Sequence, residues 1–231
     1  MIKALCTAAS GLVAESVKQD IIANNLANAQ SPGFKRQRVV MRSFENVLRE
    51  QMTPPMSLNR PRYPVAPGSS WTTTVETAWD NTDGPLRNTG NECDLALQGP
   101  GKFVVESKGA TRYTRAGSFR INDDGELVTP EGEKLQGESG PIAVNGGKFS
   151  VDADGSVTVN GVKIGKLKIV GGVDGETTVL QGYLEDANIS VVREMVDMIA
   201  NLRAFEANQK VAAAVDTTLD KLINEAGNVR V

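Results

Sequence analysis

The chain has 231 residues, 25 of them Lys or Arg and 28 Asp or Glu, which gives a formal net charge of −3; 40% are hydrophobic. This length suits one or two domains with a modest core. The sequence has no histidine and two cysteines, which excludes Ser-His-Asp and Cys-His catalysis, histidine-ligated zinc and a disulfide framework. We expect no membrane span and no cleaved secretory signal, since no apolar run approaches the roughly 20 residues of a spanning helix and the first residues lack a continuous apolar segment.

The N-terminal segment predicts a long helix with an apolar stripe on one side. Apolar residues recur at helical spacing from Leu5 through Leu12 to Ile22. Ser31-Pro32-Gly33 then ends the pattern, because proline disfavours helical backbone in the residue before it and glycine tolerates the turn that follows. A helix of about 27 residues would be roughly 40 Å long.

Residues 34–75 form a basic, proline-rich stretch. Seven Lys and Arg between Lys35 and Arg62 face two Glu, a charge of +5 that leaves −8 for the rest of the chain. We expect an extended linker with a short helix near residues 44–51. Self-association with an acidic surface of another subunit explains the charge best. Nucleic acid is disfavoured by the absence of a helix-turn-helix pattern and of interleaved aromatics, and an unengaged solvated face is the remaining alternative.

Residues 76–186 predict a central antiparallel β domain rich in hairpins. Short runs such as 102–106 and 166–170 are separated by Asp-Gly, Glu-Gly and Asn-Gly turn signals, among them Asn160-Gly161. The segment from Asp152 to Gly155 is similar to the start of a calcium loop, but Lys163 stands where the bidentate glutamate is required, so we interpret it as a turn. Cys93 precedes a strand, and we assign it no role.

Helical periodicity returns from Asn188 to about Gly227. Apolar residues fall near heptad a and d positions, and they include Met195, Met198, Leu202, Phe205 and Leu219. A helix of about 38 residues would reach roughly 57 Å, too long to bury its stripe against the β domain alone. The sequence therefore predicts an α+β fold whose terminal segments, 1–33 and 187–231, pair as a coiled-coil-like layer with each other, with other subunits, or with both.

One segment carries a family resemblance. The run from Asp20 to Arg36, DIIANNLANAQSPGFKR, closely resembles the N-terminal signature of the bacterial flagellar rod and hook family. Asn24 and Asn28 are four residues apart, so they would share a helix face. Their amides, beside Asn25, could hydrogen-bond across helices and fix register as buried asparagine does in coiled coils.

Three further stretches resemble the same family, so that the likeness covers nearly the whole chain. They are residues 88–99, residues 113–129, and the C-terminal stretch made of 181–185, 194–199 and 203–210. Within the family the chain is similar to the FlgF/FlgG type. The segments at 138–144 and 219–225 are more like the proximal-rod FlgF branch than the distal-rod FlgG branch.

The resemblance implies a non-enzymatic subunit of the flagellar drive shaft without catalytic, cofactor or metal sites. Its partners would be copies of itself, other rod proteins and the flagellar type III export apparatus, and its place would be the periplasmic rod. The terminal helices would stay frayed in a lone subunit, because their apolar stripes are uncovered, and they would order when neighbours cover them. Head-to-tail contacts of this kind would build a helical tube. The expected assembly interface comprises Leu5, Leu12, Asn24, Asn25, Asn28, Met195, Met198, Leu202, Phe205 and Leu219.

Two other classes remain as rivals. A secreted β-rich adhesin or envelope-binding protein with oligomerising helices would bind a surface ligand through residues 75–184 alone. A carboxylate-based hydrolase would need two acids about 5–9.5 Å apart in one cleft, and no motif in the sequence singles out such a pair.

Overall fold

The computed structural model describes residues 2–43, 73–107, 109–172 and 177–228. The short helix predicted near residues 44–51, with most of the basic linker, lies outside the described residues. The described residues contain two helices and many antiparallel strands, which confirms the α+β class.

The helices are α1 (Ile2–Ala27) and α2 (Val191–Asn228), and sixteen strands lie between them in the described residues. The strands are β1 (Gln37–Ser43), β2 (Thr73–Trp79), β3 (Leu86–Asn88), β4 (Leu95–Gln98), β5 (Lys102–Ser107), β6 (Ala110–Thr114), β7 (Arg120–Ile121), β8 (Leu127–Val128), β9 (Lys134–Gly137), β10 (Gly140–Pro141), β11 (Phe149–Val151), β12 (Ser156–Val159), β13 (Val162–Lys166), β14 (Ile169–Val170), β15 (Thr178–Gln181) and β16 (Tyr183–Glu185).

The chain divides into two compact units. The first, here called the helical unit, contains described residues 2–26, 37–43, 73–80 and 191–228, and the second, the β unit, contains residues 27–36 and the described part of 81–190. These boundaries differ from those expected from the sequence. Strand β1 pairs antiparallel with β2 from Gln37↔Trp79 to Ser43↔Thr73, so both ends of the expected linker belong to a ladder in the helical unit.

The segments 27–36 and 187–190 also differ from expectation, because they belong to the β unit rather than to the helices. Their backbone hydrogen bonds explain this placement. Gly33 N–H donates to the Glu185 carbonyl at 2.7 Å, and Asn188 accepts from Arg36 N–H at 2.6 Å. Buried backbone groups need such partners, and these residues find theirs among the strands.

The β unit is organised around one apolar core built from short antiparallel ladders. Strands β14, β5, β9, β8 and β7 form the main sheet in that order, with β6 on β5 and β10 on β9; β11–β12–β13, β15–β4 and β16–β3 form smaller sheets. Phe103 and Phe119 meet edge to face in the core, with ring centroids 5.5 Å apart. The other core members are Leu95, Leu97, Val105, Leu127, Leu135, Ile142, Val144, Phe149, Val151, Val157, Val159, Leu167 and Val179.

The predicted hairpin at Asn160-Gly161 is confirmed. Both residues have positive φ, 49° and 82°, and they join β12 to β13, which is the backbone of a type I′ turn that matches strand twist. The two-residue turn joins neighbouring antiparallel strands without a long loop. Among the described helices none is both long and apolar enough to cross a membrane.

Candidate functional site

Asn25, near the end of α1, is held by three hydrogen bonds inside the helical unit. Its side chain is 1% exposed. The amide oxygen accepts from Gln37 N–H at 2.9 Å, and the amide nitrogen donates to the Gln37 carbonyl at 2.8 Å. The same nitrogen donates to Glu194 Oε2 on α2 at 3.3 Å. Asn25 therefore connects the end of α1, the start of β1 and the start of α2.

Two further polar side chains of α2 face α1. Asn201, 1% exposed, donates from Nδ2 to the Glu15 carbonyl at 2.9 Å and to Gln19 Oε1 at 3.0 Å. A Cβ built on Gly11 would lie 3.3 Å from Asn208 Nδ2. Glycine at position 11 thus leaves room for the Asn208 amide against α1.

These contacts run antiparallel at a spacing of seven residues. From Glu194 to Asn201 to Asn208 along α2, the contacted position moves back along α1 from Asn25 through 15–19 to Gly11. A seven-residue step is nearly two helical turns, so the three α2 residues share one face. The six residues Gly11, Gln19, Asn25, Glu194, Asn201 and Asn208 are here called the polar seam.

The opposite side of α2 is apolar and exposed. Its members, called the outer stripe, are Val192, Met195, Val196, Ile199 and Leu202. Ile199 lies two residues from Asn201, which places it about 200° round the helix from the seam. The side chain of Ile199 is 53% exposed and that of Leu202 46%. A contiguous apolar surface of this kind marks an interaction site.

The structure separates the α2 residues expected at the interface into two groups. Met195 and Leu202 are exposed in the outer stripe. Met198, Phe205 and Leu219 are half-buried, and helical geometry places them within about 40° of Glu194. These three lie on the seam side of α2, whereas Met195 and Leu202 flank the seam at about 100° from Glu194 and Asn201, respectively.

The expected α1 residues are similarly dispersed. Asn25 is buried, Asn24 is exposed and Leu12 is half-buried, while the Leu5 side chain lies outside the described residues. Asn28 follows the end of α1 and belongs to the β unit, where its carbonyl accepts from Ser31 N–H at 3.0 Å. Asn28 is therefore in the turn after the helix and does not share a helical face with Asn24.

Sequence reasoning missed Glu194 and Asn201, although both are almost fully buried. A prediction based on apolar residues at heptad a and d positions gives no role to the polar residues between them. The available signal was the spacing of Glu194, Asn201 and Asn208, which recur at one heptad position.

An ion cluster around the buried Glu185 side chain lies in the β unit. Lys35 Nζ is 2.6 Å from Glu185 Oε1, and Arg115 Nη1 is 3.1 Å from Glu185 Oε2. Asp83 Oδ1 lies 3.6 Å from Lys35 and 3.5 Å from Arg115. Gly84 N–H also donates to Glu185 Oε1, at 2.9 Å. Lys35, Asp83, Arg115 and Glu185 are called the junction cluster.

The junction cluster joins segments that carried the family resemblance. Lys35 comes from the N-terminal signature, Arg115 from the stretch 113–129 and Glu185 from the stretch 181–185. Gly33 packs so closely that a Cβ there would lie 2.3 Å from the Arg115 carbonyl carbon, and its φ is +68°. The signature residues are thus brought together by packing and charge.

Lys35, Asp83 and Arg115 of the cluster border an open cleft of about 650 Å³, which Lys102 and Tyr113 also line. Glu185 is engaged by two cations and a backbone N–H. Paired in this way, it stabilises the fold as the counter-ion of Lys35 and Arg115.

The calcium-like segment is a turn closed by its own side chains. Asp154 accepts hydrogen bonds from Ser156 Oγ at 2.8 Å and from Ser156 N–H at 3.1 Å. These bonds hold the pKa of the Asp154 carboxyl below its usual value. In the described part of the chain, no group of three or more Cys, Asp and Glu side chains is arranged to hold a metal ion.

Three family descriptions match consecutive parts of the chain. They are "Flagella basal body rod protein" over residues 5–35, "Flagellar hook protein FlgE/F/G D1 domain" over residues 96–159, and "Flagellar basal body rod FlgEFG protein C-terminal" over residues 180–225. The first and third correspond to the segments that hold α1 and α2, and the second lies within the β unit.

Whole-chain relatives agree with these matches. The flagellar basal-body rod protein FlgG of Buchnera aphidicola subsp. Baizongia pistaciae is 31% identical over 96% of this chain and 99% of its own length. FlgF of Salmonella typhimurium is 32% identical over 90% of this chain and 92% of its own. FlgG of Bacillus subtilis is 27% identical over 97% and 99%, respectively.

The helix pair, the β unit and these likenesses define a structural protein of the bacterial flagellum. The chain belongs to the flagellar basal-body rod protein family and is of the FlgF/FlgG type.

Proposed function

We propose that this chain is a rod subunit that assembles with copies of itself into a helical tube and transmits torque through it. The observation that carries the proposal is the exposed outer stripe of α2 on the side opposite the polar seam. Polar residues of the seam, with half-buried apolar neighbours such as Phe205, make the contacts within the chain, and the apolar residues of the outer stripe are left for contacts between chains. A contact that joins different surfaces of successive copies generates a helical assembly.

The outer stripe suits a second copy of the chain as its occupant. Its five side chains are Val, Met, Ile and Leu, so their burial against another apolar helix face gains free energy. Arg203 is exposed on the same face one turn after Ile199, where it would flank the contact with its charge kept in water. In this proposal the terminal helices, paired as a coiled-coil-like layer, line the tube. Full ordering of the helices then accompanies stacking, as expected for stripes that a lone subunit leaves uncovered.

The family supports the remaining parts of the proposal. The partners would be other flagellar rod proteins, and the route would be the flagellar type III export apparatus, with a final place in the periplasmic rod. We assign the chain to the proximal rod as an FlgF-type subunit, on the likeness of residues 138–144 and 219–225; a distal-rod FlgG-type subunit is the alternative. Locating the protein in basal bodies split into proximal and distal fractions tests that assignment.

The assembly surface is tested with Leu202→Asp. Leu202 is exposed in the single chain, so the variant should fold, whereas burying its carboxylate against a neighbour would cost several kcal/mol in every subunit. The expected result is loss of incorporation into purified basal bodies and loss of motility, with normal export.

Ala200→Asp is the matched control. Ala200 is exposed on the same helix but lies about 100° from Ile199, at the edge of the outer stripe. The Ala200→Asp variant introduces the same charge and should still be incorporated into basal bodies. Normal incorporation of the Leu202→Asp variant would contradict the proposed interface, and equal loss in both variants would show that α2 tolerates no charge on this side.

A further inference from the structure

The polar seam is a poor choice if its only task is to hold α1 and α2 together. Asn201 Oδ1 is buried and finds no hydrogen-bond partner among the described residues. A buried acceptor without a donor is destabilising, and replacing a buried polar group by an apolar group of similar size is often neutral or favourable. The stability of the α1–α2 pair therefore does not explain why residue 201 is asparagine.

The choice of asparagine is better explained if the seam fixes the alignment of α1 along α2. The Asn25 amide and the Glu194 carboxylate face each other near the end of α1 and the start of α2. If α2 moved by one heptad in one direction, the position opposite Glu194 would be residue 32, beyond the end of α1 at Ala27. If α2 moved by one heptad in the other direction, the position opposite Asn25 would be residue 187, which precedes the start of α2 at Val191. Either shift leaves one polar group without its helical partner.

We propose that the polar seam is a register-specifying device, in which Asn201 is the specificity-determining residue that selects one antiparallel alignment of α1 on α2. Asn201 reaches Glu15 and Gln19 only in this alignment. In the shift that sets residue 187 opposite Asn25, Asn201 would lie opposite Gly11, which has no side chain to pair with its amide, so Asn201 makes that shift costlier than the native alignment. A single buried asparagine selects register in coiled coils at the expense of stability. Because the outer stripe is part of α2, the alignment also decides which residues of α1 lie on the seam side of α2 at the level of each stripe residue.

Disulfide trapping in the full-length chain tests the proposal. The background carries Cys6→Ser and Cys93→Ser, which removes both native thiols. Gly11→Cys with Asn208→Cys reports the native register, because these positions are in contact. Ala4→Cys with Asn208→Cys reports the one-heptad shift that sets Asn201 opposite Gly11, since Ala4 lies seven residues before Gly11. Both reporters share the substitution at 208, so only the register differs.

With Asn201 present, the native reporter should cross-link at least ten times more than the shifted one under mild oxidation at low protein concentration. In Asn201→Leu, the native yield should fall at least threefold and the shifted yield should rise, while the helical signal in circular dichroism is retained and its melting temperature is unchanged or higher. A merely structural role for Asn201 would instead lower that melting temperature.

Glu206→Leu is the matched control, because it adds the same side chain at an exposed position of α2 and should leave the ratio unchanged. An unchanged ratio in Asn201→Leu would overturn the proposal. So would loss of helix and of both cross-links, since Asn201 would then stabilise the pair and not select its register. The experiment concerns one chain, so either failure would leave the proposed rod role standing.

Discussion

Lys35 and Glu185, which are 150 positions apart in the chain, form a 2.6 Å ion pair in the interior of the β unit. The Glu185 side chain is 1% exposed and the Lys35 side chain 11%. Arg115, at 7%, binds the other carboxylate oxygen. A charged group removed from water to this degree is tolerated only when its partners are present.

Glu185→Ala should lower the free energy of unfolding of the β unit by about 3–5 kcal/mol, because it leaves Lys35 and Arg115 without their main counter-ion. Urea denaturation monitored by far-ultraviolet circular dichroism measures the change. Asp186→Ala is the control, since its partner Arg87 is 56% exposed and such pairs contribute about 0–1 kcal/mol. Equal losses in the two variants would show that the junction cluster is not the stabilising feature.

Gly117→Ala should be among the most destabilising alanine substitutions in the β unit. A Cβ at Gly117 would lie 1.6 Å from the Leu95 carbonyl oxygen, and backbone must move to relieve that overlap. We expect a loss of at least about 3 kcal/mol in the free energy of unfolding. At Gly165 the nearest atom to a Cβ is Ile142 Cδ1 at 3.9 Å, so Gly165→Ala should change stability by about 0.5 kcal/mol or less. A tolerated alanine at 117 would contradict the close packing of β4 against the 115–118 segment.

Cys93 should react with iodoacetamide several-fold more slowly than Cys6 in the native protein. Burial raises the pKa of the Cys93 thiol, and the neighbouring Asp94 and Glu92 carboxylates raise it further, so less of the nucleophilic thiolate is present at pH 8. Cys6 is exposed on α1. Peptide mass spectrometry after timed labelling measures both rates. Glu92→Gln removes one cause and should accelerate Cys93 alone; equal native rates for the two cysteines would refute the prediction.

The surface pair Glu126–Lys134 should make stability depend on acid pH. The hydrogen bond from Lys134 Nζ, 2.7 Å from Glu126 Oε2, holds the pKa of the Glu126 carboxyl below its usual value, with a smaller contribution from Asn122. A group whose pKa is lower in the folded state adds stability above its unfolded pKa, about 4.3 for Glu, and loses it as pH falls through the folded pKa.

Glu126→Gln should therefore be less stable than the native protein at pH 7, and the difference should shrink from about pH 5 downward. Denaturation curves at pH 7, 4 and 3 provide the measurement. In a Lys134→Met background the same substitution should show a much smaller dependence on pH. A constant difference across the range would mean that the pair contributes nothing through Glu126 ionisation.

The fold class and the hairpin turns could be predicted from the sequence because they depend on local chemistry. Asn160-Gly161 needs only two residues that tolerate positive φ, and α2 needs only helical spacing over a long stretch. The pairing of β1 with β2 was not predictable, because at least 29 residues outside the described part separate these strands and several prolines in that interval suggested extended chain.

The polar seam was not predictable for a different reason. A heptad pattern weights apolar residues, and it placed Met195 and Leu202 with Phe205 on one face. The buried side of α2 is set instead by hydrogen bonds from Asn25, and to Glu15 and Gln19, at positions remote in sequence. The heptad spacing of Glu194, Asn201 and Asn208 is present in the sequence, but their partners on α1 are known only from the structure.

Because Lys35 and Glu185 are 150 positions apart in the sequence, the order of synthesis decides when the junction cluster can form. A polypeptide that emerges from its N-terminus first cannot make the Lys35–Glu185 pair until about four-fifths of its length is available. Until then the early strands lack the counter-ion on which their charged centre depends. The β unit therefore cannot close around its charged centre until residue 185 has been synthesised, which places the completion of this unit late in translation.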